Sequence, residues 1–201
     1  SNTDLYVLSG TGNTVYCCNP TTGSVYFSWR LPSLPLPYFL GIAYSEGGYI
    51  WAGTTYNDRV YRLDAETGSV YGSWYAGHDV WGVAPFASGD GGAGTTRIIA
   101  GTYTPRYGYF HILTTGSVTG SFAAAEAEGT DPAYDWRNAA VWFGSYRYPS
   151  FIRGYRANGS ILASFQSPVA EGSGLTYRGE YLWVSSRVPD PDRIYWVHCP
   201  A

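Results

Sequence analysis

"VYRLDAETGSVYGSW", Val60 to Trp74, reads as a strand, a tight turn and a second strand. Two runs rich in Val, Tyr and Trp flank a turn built from Asp, Thr, Gly and Ser. The same text returns as "VYCCNPTTGSVYFSW" (15–29), "YFHILTTGSVTGSF" (109–122) and "FIRGYRANGSILASF" (151–165). The turn glycines, Gly23, Gly68, Gly116 and Gly159, recur every 43 to 48 residues. Each is followed at once by Ser, and two residues on by Val25, Val70, Val118 or Ile161. Five residues on stands Ser again, and six on a large aromatic: Trp29, Trp74, Phe122 or Phe165. Glycine at that place predicts a hairpin turn with positive φ. Offsets of two and six predict one shared apolar face, with the serine at offset five on the other.

Upstream of each hairpin lies another strand of similar style. These are "YIWAGTT" from Tyr49, "RIIAGTY" from Arg97, "AVWFGSY" from Ala140 and "YLWVSSR" from Tyr181, with "LYVLSG" from Leu5 as a weaker copy. Farther upstream come short strands of small residues: "LGIAYS" from Leu40, "WGVAPF" from Trp81 and "SGLTYR" from Ser173. Gly, Ala and Thr suit a strand that passes close to other backbone, as the innermost strand of a radial array must. Four antiparallel strands at this period describe a β-propeller blade. The expected fold is therefore all-β, a single propeller domain over 1–201 with five blades of about four antiparallel strands. The blades are expected at 4–31 (incomplete), 38–76, 79–125, 131–168 and 172–199 (incomplete). The one helical-looking run, "FAAAEAEG" (122–129), reads as a strand end and a loop.

The hairpin text is similar to repeats of the YVTN and quinoprotein-like propeller superfamily, and "LGIAY" (40–44) resembles the inner strand of such propellers. The resemblance covers nearly the whole chain and implies the fold. That superfamily hosts dehydrogenases, lyases, lectins and assembly scaffolds, so it implies no single activity. Quinoprotein dehydrogenase repeats resemble A-x-D-x-x-T-G-x-x-x-W. Here Leu63 to Gly68 fits the front half, but residue 72 is Gly and Trp74 stands six after Gly68. Asp64 has no acidic counterpart in the other copies. Those enzymes also resemble eight-bladed rings with a cofactor on the axis. The departures imply no quinone, and no cofactor is expected.

Composition narrows the partners. The net charge is −3 and charged residues make up 13% of the chain, which is not the clustered-cation footprint of a nucleic-acid binder. Aromatic residues make up 18%, enough to build a core. No apolar run approaches the roughly 18 residues of a membrane helix. The opening "SNTDLYVLSG" has neither the basic nor the apolar region of a signal peptide, and the absence of Met predicts a product cut from a longer chain. The Gly, Ser, Thr and Tyr content points to an extracellular or cell-surface setting. Cys17 and Cys18 are adjacent, so on a strand they face opposite ways and cannot both reach Cys199. One disulfide with one spare thiol, or three ordinary thiols, remain the alternatives. The spacing is no zinc pattern, and no metal is expected.

In a propeller, the loops from strand four to the next strand one share a rim with the loops between strands two and three. The first set is 31–38, 76–81, 127–136 and 169–174, and the second is 54–59, 102–108, 145–150 and 186–193. Loops on a rigid scaffold are where binding tends to reside. The sets gather His78, Asp79, Asp131, Asp135 and Glu171 with several Tyr and Arg. Tyr56, Arg106, Tyr107, Arg147, Tyr148 and Arg187 form the expected ligand-binding set, because aromatic faces and guanidinium forks suit a glycan, a small ligand or a protein. His78 with Asp79, Asp131 and Glu171 is the candidate acid–base set of a lyase or hydrolase. His111 and His198 read as structural. "GDGGAG" (89–94) carries one acid and reads as a turn rather than a calcium loop. The leading expectation is a non-enzymatic ligand- or protein-binding module acting through its loop face. The alternatives are that enzyme, and an assembly scaffold that self-associates through the unpaired edges of its incomplete end blades.

Overall fold

The computed structural model describes residues 4–9, 13–31, 39–45, 47–86, 97–103, 107–112, 115–124, 129–145, 150–169, 171–188 and 193–199. They form five antiparallel sheets and no helix, and the sheets are arranged as a five-bladed β-propeller. Blade 1 holds β1 (Leu5–Ser9), β2 (Thr14–Cys18) and β3 (Val25–Arg30). Blade 2 holds β4 (Phe39–Ser45), β5 (Tyr49–Thr54), β6 (Arg59–Asp64) and β7 (Val70–Tyr75). Blade 3 holds β8 (Gly82–Phe86), β9 (Arg97–Gly101), β10 (Tyr107–Ile112) and β11 (Val118–Ala123). Blade 4 holds β12 (Gly129–Asp135), β13 (Ala140–Ser145), β14 (Phe151–Arg156) and β15 (Ile161–Gln166). Blade 5 holds β16 (Glu171–Arg178), β17 (Tyr181–Val188) and β18 (Ile194–His198). Around the axis, β12 packs against β8 and β16, β8 against β4, and β4 against β1.

The second strand of each complete blade is buried on both faces, which is why it reads as an unbroken apolar run. Ile50 and Ala52 of β5 join Val15 and Leu31 in the seam between blades 1 and 2. Trp51, between them in sequence, joins Val83 and Ile98 in the seam between blades 2 and 3. In blade 4, Val141 and Phe143 face blade 3 while Trp142 faces blade 5. Consecutive residues thus serve opposite seams, as period-two side chains require.

The hairpin repeat has a second purpose that its local sequence does not declare. In blades 1 and 2 the aromatic six residues past the turn glycine reaches forward into the next blade's hairpin. A Cβ on Gly68 would overlap the Trp29 ring, and one on Gly116 would come within 2.7 Å of Trp74. Gly159 is less tightly covered: an added Cβ would lie 3.5 Å from both the Phe122 Cβ and the Ala123 carbonyl oxygen, an ordinary contact. Trp29 also donates from Nε1 to the Ala65 carbonyl at 3.0 Å. All four turn glycines have φ between 71° and 83°, as the turn chemistry predicts. In the turn of blade 2, Asp64 Oδ1 accepts from the N–H groups of Glu66 and Thr67 at 3.0 and 2.7 Å. In blade 1 the amide oxygen of Asn19 does the same for Thr21 and Thr22, so an acceptor is needed there and a charge is not.

One expectation fails here. The β-branched residues two past the glycine do not share a buried face with the aromatics; Val25, Val70, Val118 and Ile161 are 46–54% exposed. A β-bulge is the reason. Leu63 pairs with Val70 but Arg62 pairs with Gly72, leaving Tyr71 as an extra residue, and the other hairpins shift register at the same place. The inserted residue breaks the alternation between offsets two and six.

All three cysteines are free and buried. Burial, with help from the nearby Asp135 charge, pushes the Cys199 thiol up to about 12. No helix among the described residues is long and apolar enough to cross a membrane. The glycine-rich run 89–94 lies outside the described residues.

Gly116→Ala is expected to destabilise the protein by about 2–4 kcal/mol, combining a left-handed backbone with overlap on Trp74. Gly23→Ala has the same φ but nothing within 4 Å of the added carbon, so it should cost only about 1 kcal/mol. Equal losses in urea unfolding would show that the packing on the aromatic contributes nothing.

Candidate functional site

The sequence places Asp131 and Asp135 on a loop rim; the structure places both inside β12, the innermost strand of blade 4. The Gly-Thr-Asp-Pro text hides a strand that is irregular at its start, with a register shift between Gly129 and Pro132. Asp135 is buried and caps the turn after its strand. Its carboxylate accepts from the Arg137 and Asn138 N–H groups at 3.0 and 3.2 Å and from Asn138 Nδ2 at 2.8 Å.

Asp131 is buried where inner strands converge. The N–H groups of Leu175 on β16 and Val83 on β8 face its carboxyl, while Oδ1 lacks a hydrogen bond of ordinary geometry. A Cβ on Gly41 of β4 would overlap that oxygen. One side chain from blade 4 therefore touches blades 2, 3 and 5. Burial raises its pKa well above the ordinary carboxylate value, outweighing the two N–H contacts. The geometry makes it a tie across the axis, enclosed by backbone.

The rim between blades 2 and 3 is different in kind. His78, in the turn after β7, is stacked on Tyr109 of β10 with ring centres 4.1 Å apart. Tyr109 adjoins Tyr107 at 5.7 Å. His78 Nε2 lies 3.0 Å from His111 Nε2, and Trp74 lies 4.8 Å from the His111 ring. Beside them Trp81 stacks on Tyr103 at 4.8 Å and donates from Nε1 to Asp79 Oδ2 at 2.7 Å. His78, Trp81, Tyr103, Tyr107 and Tyr109 are all half-buried, so each ring keeps part of its surface in solvent. His111 is fully buried, and that burial, with the neighbouring His78, lowers its pKa to about 4.

Of the nominated acid–base set, His78 and Asp79 meet on this rim, but the ring partners of His78 are His111, Tyr109 and the Asp79 carbonyl. Asp131 is held at the axis instead. Glu171 opens β16 rather than lying in a loop. Of the ligand-binding set, Tyr56 is exposed in the loop after β5, and Tyr107 is the first residue of β10. Arg187 belongs to β17, whose strand runs farther than its sequence suggests. Arg106, Arg147 and Tyr148 lie outside the described residues. His111, Tyr109, Trp81 and Tyr103 were not singled out as ligand-binding by their local sequence. The period-two spacing of Tyr107, Tyr109 and His111 on one face of β10 is the signal that could have found them. No group of three or more His, Cys, Asp or Glu fit to hold a metal occurs among the described residues.

No family model and no curated protein matches the sequence. By structure, 1215 solved chains match, so the architecture is widely shared and does not by itself select a function. One is similar at a TM-score of 0.58 and 12% identity: hydrazine synthase of Kuenenia stuttgartiensis. The match takes in 98% of this chain and spans 60% of that one. At that identity the likeness shows the propeller fold alone.

Asp131→Asn gives a test of the axial tie. Because the folded-state pKa is raised, the carboxyl contributes most below its unfolded value of about 3.9 and progressively less as pH rises from there. The stability of the wild type relative to Asp131→Asn, from urea unfolding, should therefore decline from about pH 4 upward. A difference that stays constant to alkaline pH would mean that the carboxyl is ionised in the fold.

Proposed function

We propose that this chain is a non-catalytic binding module that takes an extended glycan across the rim of blades 2 and 3. The observation that carries the reading is the run of half-exposed rings, Trp81–Tyr103 on one side and His78–Tyr109–Tyr107 on the other, held by the Asp79 and His111 contacts. Flat aromatic faces with polar edges stack on sugar rings while their surroundings accept hydroxyl hydrogen bonds. The rings are fixed by strands and by one another, so little ordering entropy is lost on binding. A glycan ligand also accords with an extracellular or cell-surface setting. The hairpin repeat supports placing the chain among the YVTN and quinoprotein-like propellers, whose members include lectins.

Soluble cellohexaose and chitohexaose, followed by tryptophan fluorescence and calorimetry, provide the test. Binding to at least one is expected, weakened roughly tenfold or more by Trp81→Ala and by Tyr107→Ala, a loss of about 1.4 kcal/mol or greater. Wild-type protein that binds neither sugar, or variants that bind as well as it does, would sink the reading.

A second reading, self-association, rests on a separate observation. Among the described residues blade 5 has three strands, and the side of β18 turned away from blade 4 carries Ile194 and Trp196, the latter 63% exposed and paired with Trp183 at 5.5 Å. Sedimentation should show concentration-dependent association that Trp196→Ser removes. A monomer at all concentrations excludes it.

A further inference from the structure

The blade repeat assigns one position to an apolar or weakly polar side chain: the third-strand residue opposite the β-branched residue of the hairpin. In blades 1, 2 and 4 it is Cys18, Leu63 and Tyr155, and in blade 5 Val197 takes the equivalent register. Blade 3 puts His111 there, opposite Val118, with no exposed surface. A buried imidazole in a seam that elsewhere takes Leu is costly unless its nitrogens are engaged. A repeat that breaks its own rule at one place marks a site.

The hydrogen-bond pattern sets the proton count. His111 Nδ1 is 2.7 Å from the Gly116 carbonyl, and His78 Nδ1 is 3.0 Å from the Asp79 carbonyl. A carbonyl only accepts, so both Nδ1 atoms carry hydrogen. Two neutral rings would then have two bare Nε2 atoms, and these face each other at 3.0 Å. Two lone pairs at that distance repel, so the contact requires a cation between them. A metal ion bonded to each nitrogen at about 2.0–2.1 Å would need further ligands. Among the described residues no third His, Cys, Asp or Glu completes such a group. An N–H···N hydrogen bond, by contrast, has close to this length.

We propose that His78 and His111 form a proton-binding site, holding one shared proton between their Nε2 atoms, and that the junction of blades 2 and 3 depends on that proton. Three contacts, to Gly116 O, to Asp79 O and between the rings, need three ring hydrogens. The pair has three only when it carries a single positive charge. Loss of the shared proton removes one of the three bonds. Gain of a second places two N–H groups head to head, and burial already opposes it by holding His111 down to about 4. The complete network is therefore confined to a window with an acid and an alkaline edge, and both edges belong to the pair. The titratable groups facing it are Tyr109 and Tyr107 from β10 and the Asp79 carboxylate, which is engaged by Trp81. From β7 the facing group is Trp74, which is neutral and lies against the His111 ring. The pair joins the turn after β7 to the hairpin whose glycine covers Trp74, so it closes the same seam as the aromatic.

Nitrogen-15 NMR of the wild-type imidazoles at about pH 5.5, between the acid edge and an ordinary histidine, tests the proton directly. Expected are hydrogen on both nitrogens of His78, hydrogen on Nδ1 alone of His111, and a coupling between the two Nε2 nuclei across the bond. Two protonated nitrogens on His111, or no such coupling, overturn the proposal. His78→Gln adds an independent arm, because an amide N–H can donate to His111 Nε2 without any extra proton. In urea unfolding between about pH 5.5 and 9, the wild type should lose stability relative to His78→Gln as pH rises. The Asp131 contribution is common to both proteins and cancels. Parallel pH profiles, or stoichiometric zinc binding by chelator-treated wild type that the variant lacks, would also overturn it. Neither arm depends on finding a glycan.

Discussion

A four-stranded sheet with apolar side chains on both faces, in a chain whose described residues form no helix, can bury them only against another such sheet. That requirement governs the whole molecule. It makes the second strands continuous apolar runs, because Ile50 and Trp51, neighbours in sequence, must fill opposite seams. It also confines each blade's packing largely to the blades on either side, the quasi-one-dimensional logic of repeat proteins. The inner strands add a second constraint. They approach so closely that Gly41 has no room for a β-carbon beside Asp131 and Gly82, which is why small residues mark these strands in the sequence.

The architecture was legible because the repeat is local. Turn glycines, second-strand runs and small inner-strand residues each follow from two-residue periodicity and φ preference, and those rules act within one hairpin. What was not legible depends on neighbours. The bulge at Tyr71 arises from pairing geometry, so Val70 looked buried from its place in the pattern and is in fact exposed. The strand in Gly129 to Asp135 was concealed by Pro132 and two acids, residues that read as loop until three other inner strands are known to surround them.

The candidate site follows the same division. His78 and Tyr107 could be picked out because the sequence reads both as loop positions, whose side of the propeller the topology fixes. His111 stands out less, since on its own strand it is one more alternating residue. Its significance comes from the Leu63 and Tyr155 that occupy the matching place in other blades, and from a partner 33 residues away. Asp131 shows the converse: an acid nominated for chemistry turns out to be walled in by backbone, an enclosure that raises its pKa. That enclosure comes from strands of several blades, so it is a property of the ring rather than of any one blade.

The forward reach of Trp29, Trp74 and Phe122 gives the wheel a polarity. Blades 1, 2 and 3 each lend an indole or phenyl to the blade that follows, so the two sides of a blade are chemically unlike. Trimming the leading blade would bare a glycine hollow; trimming the trailing one would strand an aromatic ring in water. Shortening from the two directions is thus not symmetric, and the sticky remnant always lies on the downstream side.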